Sequence, residues 1–281
     1  MWLFYSVLAG AFYTAESLLQ RFHLRRKRDV WTFALFYTLI GTVVTFPFML
    51  ASPKMPTHFE TWLLSAVVGL LIVGNNMLFF KATGLIEMSV INSLLKLRLA
   101  WVFIFGVLFL HAHFSWQELL GTILAMCAGW VILHSFKKPE SIKGISFILT
   151  MTIVNASIIV LLKYLLSSYN AVSLTFFATF LPAAIFTIVL MPKAVTRFRH
   201  ILKDDWRIIF LACVFGALTN LALNAALSLH DAAGVLAINE AFLVLVLVGE
   251  HVYLKEREHT WIRVVSVTLA IAGAILIDVS H

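Results

Sequence analysis

Apolar residues run in ten stretches, each about as long as a membrane is thick, with short polar segments between them. The stretches are 2–20, 30–51, 62–82, 87–110, 115–135, 142–166, 171–191, 205–228, 232–254 and 260–278. A helix rises about 1.5 Å per residue, so roughly 20 mostly apolar residues cross the hydrocarbon core. Within stretches such as 147–162 the apolar run is continuous. An outer-membrane strand would alternate apolar and polar positions over about ten residues. The pattern predicts an all-α integral membrane protein with ten transmembrane helices and no space for a soluble domain.

Composition agrees: 61% of residues are hydrophobic and 12% charged, against about 25% charged in soluble domains. The formal net charge is +7, which in a soluble chain would suggest nucleic acid. Its placement excludes that partner. Threading ten helices puts the links 1–2, 3–4, 5–6, 7–8 and 9–10 on one side. That side carries Arg21, Arg25, Arg26, Lys27 and Arg28, then Lys137, Lys138 and Lys143. It also carries Lys193, Arg197, Arg199, Lys203 and Arg207, and finally Lys255, Arg257 and Arg263. The opposite side has Lys54 alone. The positive-inside rule then places the basic links in the cytoplasm and both termini outside, in a cell inner (plasma) membrane.

Six tryptophans mark span starts: Trp2, Trp31, Trp62, Trp116, Trp206 and Trp261. Indole rings favour the headgroup boundary, so they support the same limits. Cys127 and Cys213 both fall within spans and are expected to pack rather than to form a disulfide framework. Positive charge follows the first stretch instead of preceding it, which predicts a retained helix rather than a cleaved signal.

A shift of 145 residues superposes Trp116 on Trp261, Asn75 on Asn220, Val90 on Val235 and Ala125 on Ala270. The chain therefore divides into five-helix repeats, 1–136 and 137–281, forming one transport domain. Five is odd, so the second repeat enters the membrane from the opposite side. Inverted repeats are the usual framework for alternating access.

The segments 62–133 and, more clearly, 206–277 resemble the drug/metabolite transporter superfamily in its EamA-type branch. The resemblance is carried by Gly249-Glu250-His251, by Lys255-Glu256-Arg257 and by the small-residue helix 264–277. The first half departs from it, with Leu110-His111-Ala112-His113 where a Gly-Glu link would stand. The resemblance implies a transporter of small metabolites, amino acids or drug-like solutes, exporting more than importing. It also implies that helices five and ten brace the bundle from outside the cavity. Their small residues, Gly121, Ala125, Ala128 and Gly129 matched by Ala270, Gly273 and Ala274, suit close packing.

Ionisable groups deep in a span cost about 2.5–3.5 kcal/mol on insertion scales and face a cavity or a partner. The deep ones here are Glu16, Lys96, Arg98 and Glu240, with Lys163 less deep. Ser89, Asn92 and Lys96 make one polar stripe of helix four at i, i+3, i+7. On a continuous helix, Arg98 points about 200° away from Lys96 and needs a partner on another helix. Glu240 is the expected one. Tyr13, Glu16 and Gln20 form a similar stripe on helix one. Glu16 and Glu240 are the proton-coupling candidates, with Lys163 or Arg98 as possible partners of Glu16. Asn75, Asn76, Asn155, Asn220, Asn224 and Asn239 add amides that can donate and accept.

The expected substrate-binding set is thus Tyr13, Asn75, Asn76, Asn92, Lys96, Arg98, Asn155, Asn220, Asn224, Asn239 and Glu240. No enzyme motif, metal-ligand spacing, cofactor site or phosphate-gripping loop stands in the chain. The expected function is secondary transport of a small molecule by a lipid-embedded monomer or homodimer. The alternatives are a lipid-handling flippase and a non-transporting scaffold.

Overall fold

The computed structural model describes residues 1–26, 30–83, 85–86, 91, 94–110, 116–134, 141–204, 206–239, 265, 268–269, 272–273 and 276. Among them every regular element is an α-helix. These are α1 (Trp2–Arg26), α2 (Val30–Ala51), α3 (Phe59–Thr83), α4 (Arg98–Leu110), α5 (Trp116–His134), α6 (Ile142–Leu165), α7 (Ala171–Asp204) and α8 (Trp206–Leu229). A ninth segment, α9, covers 232–239. The residues beyond 239 in the last two expected spans are described only at scattered helical positions, so the count of ten lies partly outside the described residues.

Five stretches are long and apolar enough to cross a membrane by length and composition: Trp31–Ala51, Phe59–Phe79, Ile142–Leu165, Ala171–Leu190 and Trp206–Leu229. The outward faces are oily, with Phe4, Val43, Leu70, Leu108, Phe109 and Ile188 exposed. Polar side chains such as Glu16, Thr38, Asn75 and Asn224 are buried. This inside-out distribution is what a lipid solvent selects, because a polar group facing hydrocarbon has no partner. Trp62, Trp116 and Trp206 are exposed near helix starts, as headgroup anchors are.

Local chemistry sets the elements. Ser141 caps α6, its side chain accepting from the Gly144 amide at 3.4 Å. On α2, the Thr38, Thr42 and Thr45 hydroxyls donate to the carbonyls of Ala34, Thr38 and Gly41, so these polar groups are satisfied within the helix. Asp231 opens α9 by accepting from the Gly234 amide at 2.8 Å, as an N-cap does.

Three sequence expectations are corrected here. First, α1 runs to Arg26 and α7 to Asp204, well past the limits at 20 and 191. The segment with Lys193, Arg197, Arg199 and Lys203 is helix, not loop; charge ends the lipid-facing run without ending the hydrogen-bonded ladder. Second, the stretch 87–110 is not one continuous helix among its described residues. It turns at Lys96–Leu97, where Leu97 donates to Leu94 and Leu99 to Lys96, both three residues back. The tightened turn removes the basis for setting Lys96 and Arg98 about 200° apart, since that angle assumes 3.6 residues per turn. Third, Cys127 is exposed rather than packed, whereas Cys213 is buried as expected.

Helices pack across the two halves of the chain. α1 lies along α8 and α3 along α6; α2 crosses α7; α2 also meets α8, as α3 meets α7; and α4 packs on α6. Counting five elements on exchanges these partners: α1 with α8 becomes α6 with α3. The α3–α7 crossing is close, since a Cβ on Gly69 would stand 2.8 Å from Leu181 Cβ. α5 packs chiefly on α4, at the edge of the bundle.

Candidate functional site

The bundle has two distinct ends. At one, Leu19, Phe33, Ile209 and Cys213 cluster where α1 finishes and α2 and α8 begin; the basic links attach there. At the other, α1 begins, and Trp2 stacks on His230 with ring centroids 4.0 Å apart.

Between the ends lies a cavity of about 280 Å³, lined from α1, α2, α3, α6, α7, α8 and α9 and from Leu95 and Arg98. Of the residues expected at a substrate site, Tyr13, Asn75, Asn76, Arg98, Asn155, Asn220, Asn224 and Asn239 line it, together with Glu16. They converge because each occupies the inward stripe of an otherwise apolar helix. Asn92 and Glu240 lie outside the described residues, so the expected Arg98–Glu240 pair does too. Lys96 is buried at the helix turn and is not among the residues that line this cavity.

Glu16 sits at the α1–α2–α8 contact. Gln20 Nε2 donates to its Oε1 at 2.7 Å, and Tyr37 and Thr219 hydrogen-bond the same carboxyl group. Gly216 makes this possible. A Cβ there would stand 2.5 Å from the Tyr37 ring and hydroxyl, so only a glycine lets the phenol lie against α8. Thr219 Oγ1 also donates to Phe215 O at 2.9 Å. With that proton committed, its lone pairs can receive a donor, which a protonated Glu16 supplies. The cage therefore serves both forms of the carboxyl: ionised, it accepts from Gln20 and Tyr37; neutral, it donates to Thr219.

Among the described residues Arg98 has a cross-helix partner in α6, where Nη1 donates to Asn155 Oδ1 at 3.2 Å. Lys163 is not a partner of Glu16, which corrects that expectation. Its Nζ donates to Leu227 O at 2.5 Å and His230 O at 2.6 Å, at the far end of the bundle. These carbonyls close α8, and a cation there meets the negative end of the helix dipole. His230 Nε2 pairs with Asp231 Oδ2 at 2.9 Å.

A second contact shuts the same end. Ser65 and Tyr169 hydroxyls lie 2.9 Å apart; Ser65 donates to Thr61 O, so Tyr169 is the donor between them. Trp62 closes edge-on over Phe177 at 5.1 Å. Asn170 Nδ2 donates to Ser52 O at 2.6 Å, tying the end of α2 to the start of α7. The cavity lining stops short of this end but reaches Gln20 and Phe33 toward the basic one.

Sequence reasoning missed Tyr37, Thr38, Thr179 and Thr219, all of which line the cavity. Threonine hydroxyls bond back to their own helix, so composition gives no sign of which face they serve. No described residue of α5 lines the cavity, as the bracing role expects.

Comparison with known proteins follows the same lines. No curated protein shows a significant match. A solved crystal structure is similar at a TM-score of 0.70 and 16% identity, over 96% of this chain and 95% of that one; it supports the fold. The EamA-like transporter family matches twice, over residues 1–134 and 142–278. Two matches that take in nearly every residue, on a bundle of membrane-length helices, make this chain a multi-pass membrane protein of the EamA-like transporter family.

Proposed function

We propose that the protein is a secondary active transporter that moves a small polar solute across the inner membrane by alternating access. Its halves, 1–136 and 137–281, act as inverted repeats. The observation that carries this reading is the cavity itself. Carboxyl, guanidinium, amide and hydroxyl groups from eight helices meet at mid-depth in a bundle whose outer face is oily. Holding such groups in a span is costly, and a scaffold has no use for them. The exchange of packing partners between the halves supports the inverted arrangement.

The cavity continues toward the basic end while Lys163 and Tyr169 close the other. With basic links in the cytoplasm, this is an inward-facing form. A solute entering from the cytoplasm would be exported when α1–α4 rock against the second half and the closed end parts. Glu16 is the proton-coupling group, because its cage accommodates both protonation states. Arg98 orients the solute, with Asn155 holding the guanidinium in place.

The test uses the purified full chain in liposomes. Counterflow of small polar solutes should be measurable, and Arg98→Ala and Glu240→Gln should each reduce it more than tenfold while the protein still folds. Movement of labelled lipid without solute flux would favour a flippase and overturn the proposal, and so would no flux of either kind.

A further inference from the structure

The part of α7 that outruns its membrane span is pinned at both ends to one depth. Leu190, the last residue of the span, packs on the layer of Ala34, Leu35, Val73 and Phe186. Ile209, in the first turn of α8, packs with Phe33. Residues 33–35 are consecutive on α2, so α7 leaves the bundle and α8 re-enters it at one level. From Leu190 to Asp204 the helix is about 21 Å long, at about 1.5 Å per residue. Asp205 alone joins Asp204 to Trp206, where α8 begins. Those two links span about 7 Å when extended, and the helical rise on to Ile209 adds about 5 Å. Asp204 therefore lies within about 12 Å of the level of Ile209, and a helix of about 21 Å cannot stand on end within that reach. The run 193–204 must lean across the basic end of the bundle, along the membrane surface. Pro192 precedes it; proline supplies no N–H to the ladder and is where helices bend.

The sequence of this run divides along the helix. At about 100° per residue, Ala194, Val195, Phe198, Ile201 and Leu202 fall within one arc of about 120°. Every other residue from Lys193 to Asp204 falls in the opposite arc, and none breaks the division. Lys193, Arg197, Arg199 and Lys203 are on that polar side, against the single acid Asp204. By the same spacing Arg197 and Arg199 occupy the two borders of the apolar arc.

An amphipathic helix lying at the limit of the hydrocarbon buries its apolar arc in the acyl boundary. Bases at the borders of that arc then stand at headgroup depth, where an arginine fork matches the oxygens of a phosphate. The end of the run is marked at the same depth, since Trp206 is exposed and Arg207 lies over its ring at 5.7 Å. We infer that residues 193–204 form an interfacial helix that binds anionic phospholipids, with Arg197 and Arg199 on their phosphates and Phe198 and Leu202 among their acyl chains. A zwitterionic headgroup offers the same phosphate beside an ammonium group that cancels its charge, so the surplus of bases selects the anionic lipid. The inference concerns the surface of the bundle and holds whether or not the central cavity transports. Its reach is not only local, because α7 crosses α2 and carries Ala178 and Thr179 in the cavity wall.

Two measurements on the full chain test it. In a Cys127→Ser background, which leaves only the buried Cys213, Phe198→Cys and His200→Cys each carry a fluorescent label. The protein is held in nanodiscs of phosphatidylglycerol mixed with phosphatidylcholine, so both faces meet the solvent. A quencher attached to the lipid acyl chain should reach the label at 198, and aqueous iodide the label at 200. Separately, thermal unfolding of the detergent-solubilised chain is followed with added phosphatidylglycerol, phosphatidylcholine or inorganic phosphate. A ligand of the folded state raises the apparent Tm, and phosphatidylglycerol should do so at the lowest concentration. Arg197→Gln combined with Arg199→Gln should raise that concentration roughly thirtyfold, about fivefold for each base. The lipid-free Tm should not move, because neither base is needed to hold the bundle together.

A label at 198 shielded from both quenchers would mean that protein, of this chain or of a second copy, covers the apolar arc, and the inference would be overturned. Iodide reaching both labels would overturn it too, since the run would then stand clear of the lipid. Equal stabilisation by phosphatidylcholine or by inorganic phosphate would exclude an anionic lipid as the partner. A double variant that keeps its full preference for phosphatidylglycerol would take the phosphates away from Arg197 and Arg199 and reject the site.

Discussion

At the scale of single residues, helical spacing was enough to find much of the cavity wall. Tyr13, Glu16 and Gln20 recur at one face of α1, and Asn220 and Asn224 at one face of α8, and all five line the cavity. What spacing could not show was the company they keep. Tyr37 reaches Glu16 only because Gly216 leaves space for its ring, a fact of two distant helices. Gly216→Ala should therefore displace Tyr37 and destabilise the fold by about 1–3 kcal/mol, the usual range for overpacking. Combined with Tyr37→Ala the loss should be less than additive, because both changes act on one contact; thermal unfolding of the single and double variants measures this. Glu16→Gln should fold, since an amide can still pair with Gln20 and Tyr37. It should transport at a rate that no longer varies with pH, as initial rates in liposomes between about pH 6 and 8 would show, whereas a retained pH profile would remove Glu16 from proton coupling.

At the scale of elements, the hydrophobic pattern reports where lipid ends rather than where a helix ends. Hence α7 outruns its expected limit by carrying Lys193, Arg197, Arg199 and Lys203 onward in helical form. The turn at Lys96–Leu97 was invisible for the opposite reason, because the leucines around Lys96 and Arg98 keep the average hydropathy of the stretch high. A discontinuous helix beside a cavity frees backbone groups at mid-depth and offers a joint. The closure between α6 and α8 depends on one ammonium group and two carbonyls. Lys163→Met keeps the length of the stem and removes the donor. In a Cys127→Ser background, a Val107→Cys reporter beside Lys163 and His230 should then react several-fold faster with a membrane-impermeant maleimide. An unchanged rate would mean that this end is held shut by packing alone.

At the scale of the whole molecule, the family and the membrane character were legible because both are properties of long windows of sequence. The pairing of helices was not, since it links residues more than a hundred positions apart. Asn170 to Ser52 is one such link. Cysteines at both positions, again without Cys127, should form an oxidant-dependent cross-link that stops solute flux and is reversed by reductant, while ligand-induced thermal stabilisation survives. Flux that persists through a complete cross-link would exclude opening at that end. The same interlacing has a consequence for biogenesis. The ribosome delivers α1 long before α8 exists, and at about 5–20 residues per second the 203 positions from Glu16 to Thr219 take roughly 10–40 s to synthesise. Throughout that interval the nascent chain holds an acidic side chain in the bilayer with part of its cage still untranslated. Chaperoning at the insertion machinery, or temporary protonation, must bridge the gap, and a chain halted after its first half should be prey to membrane proteases.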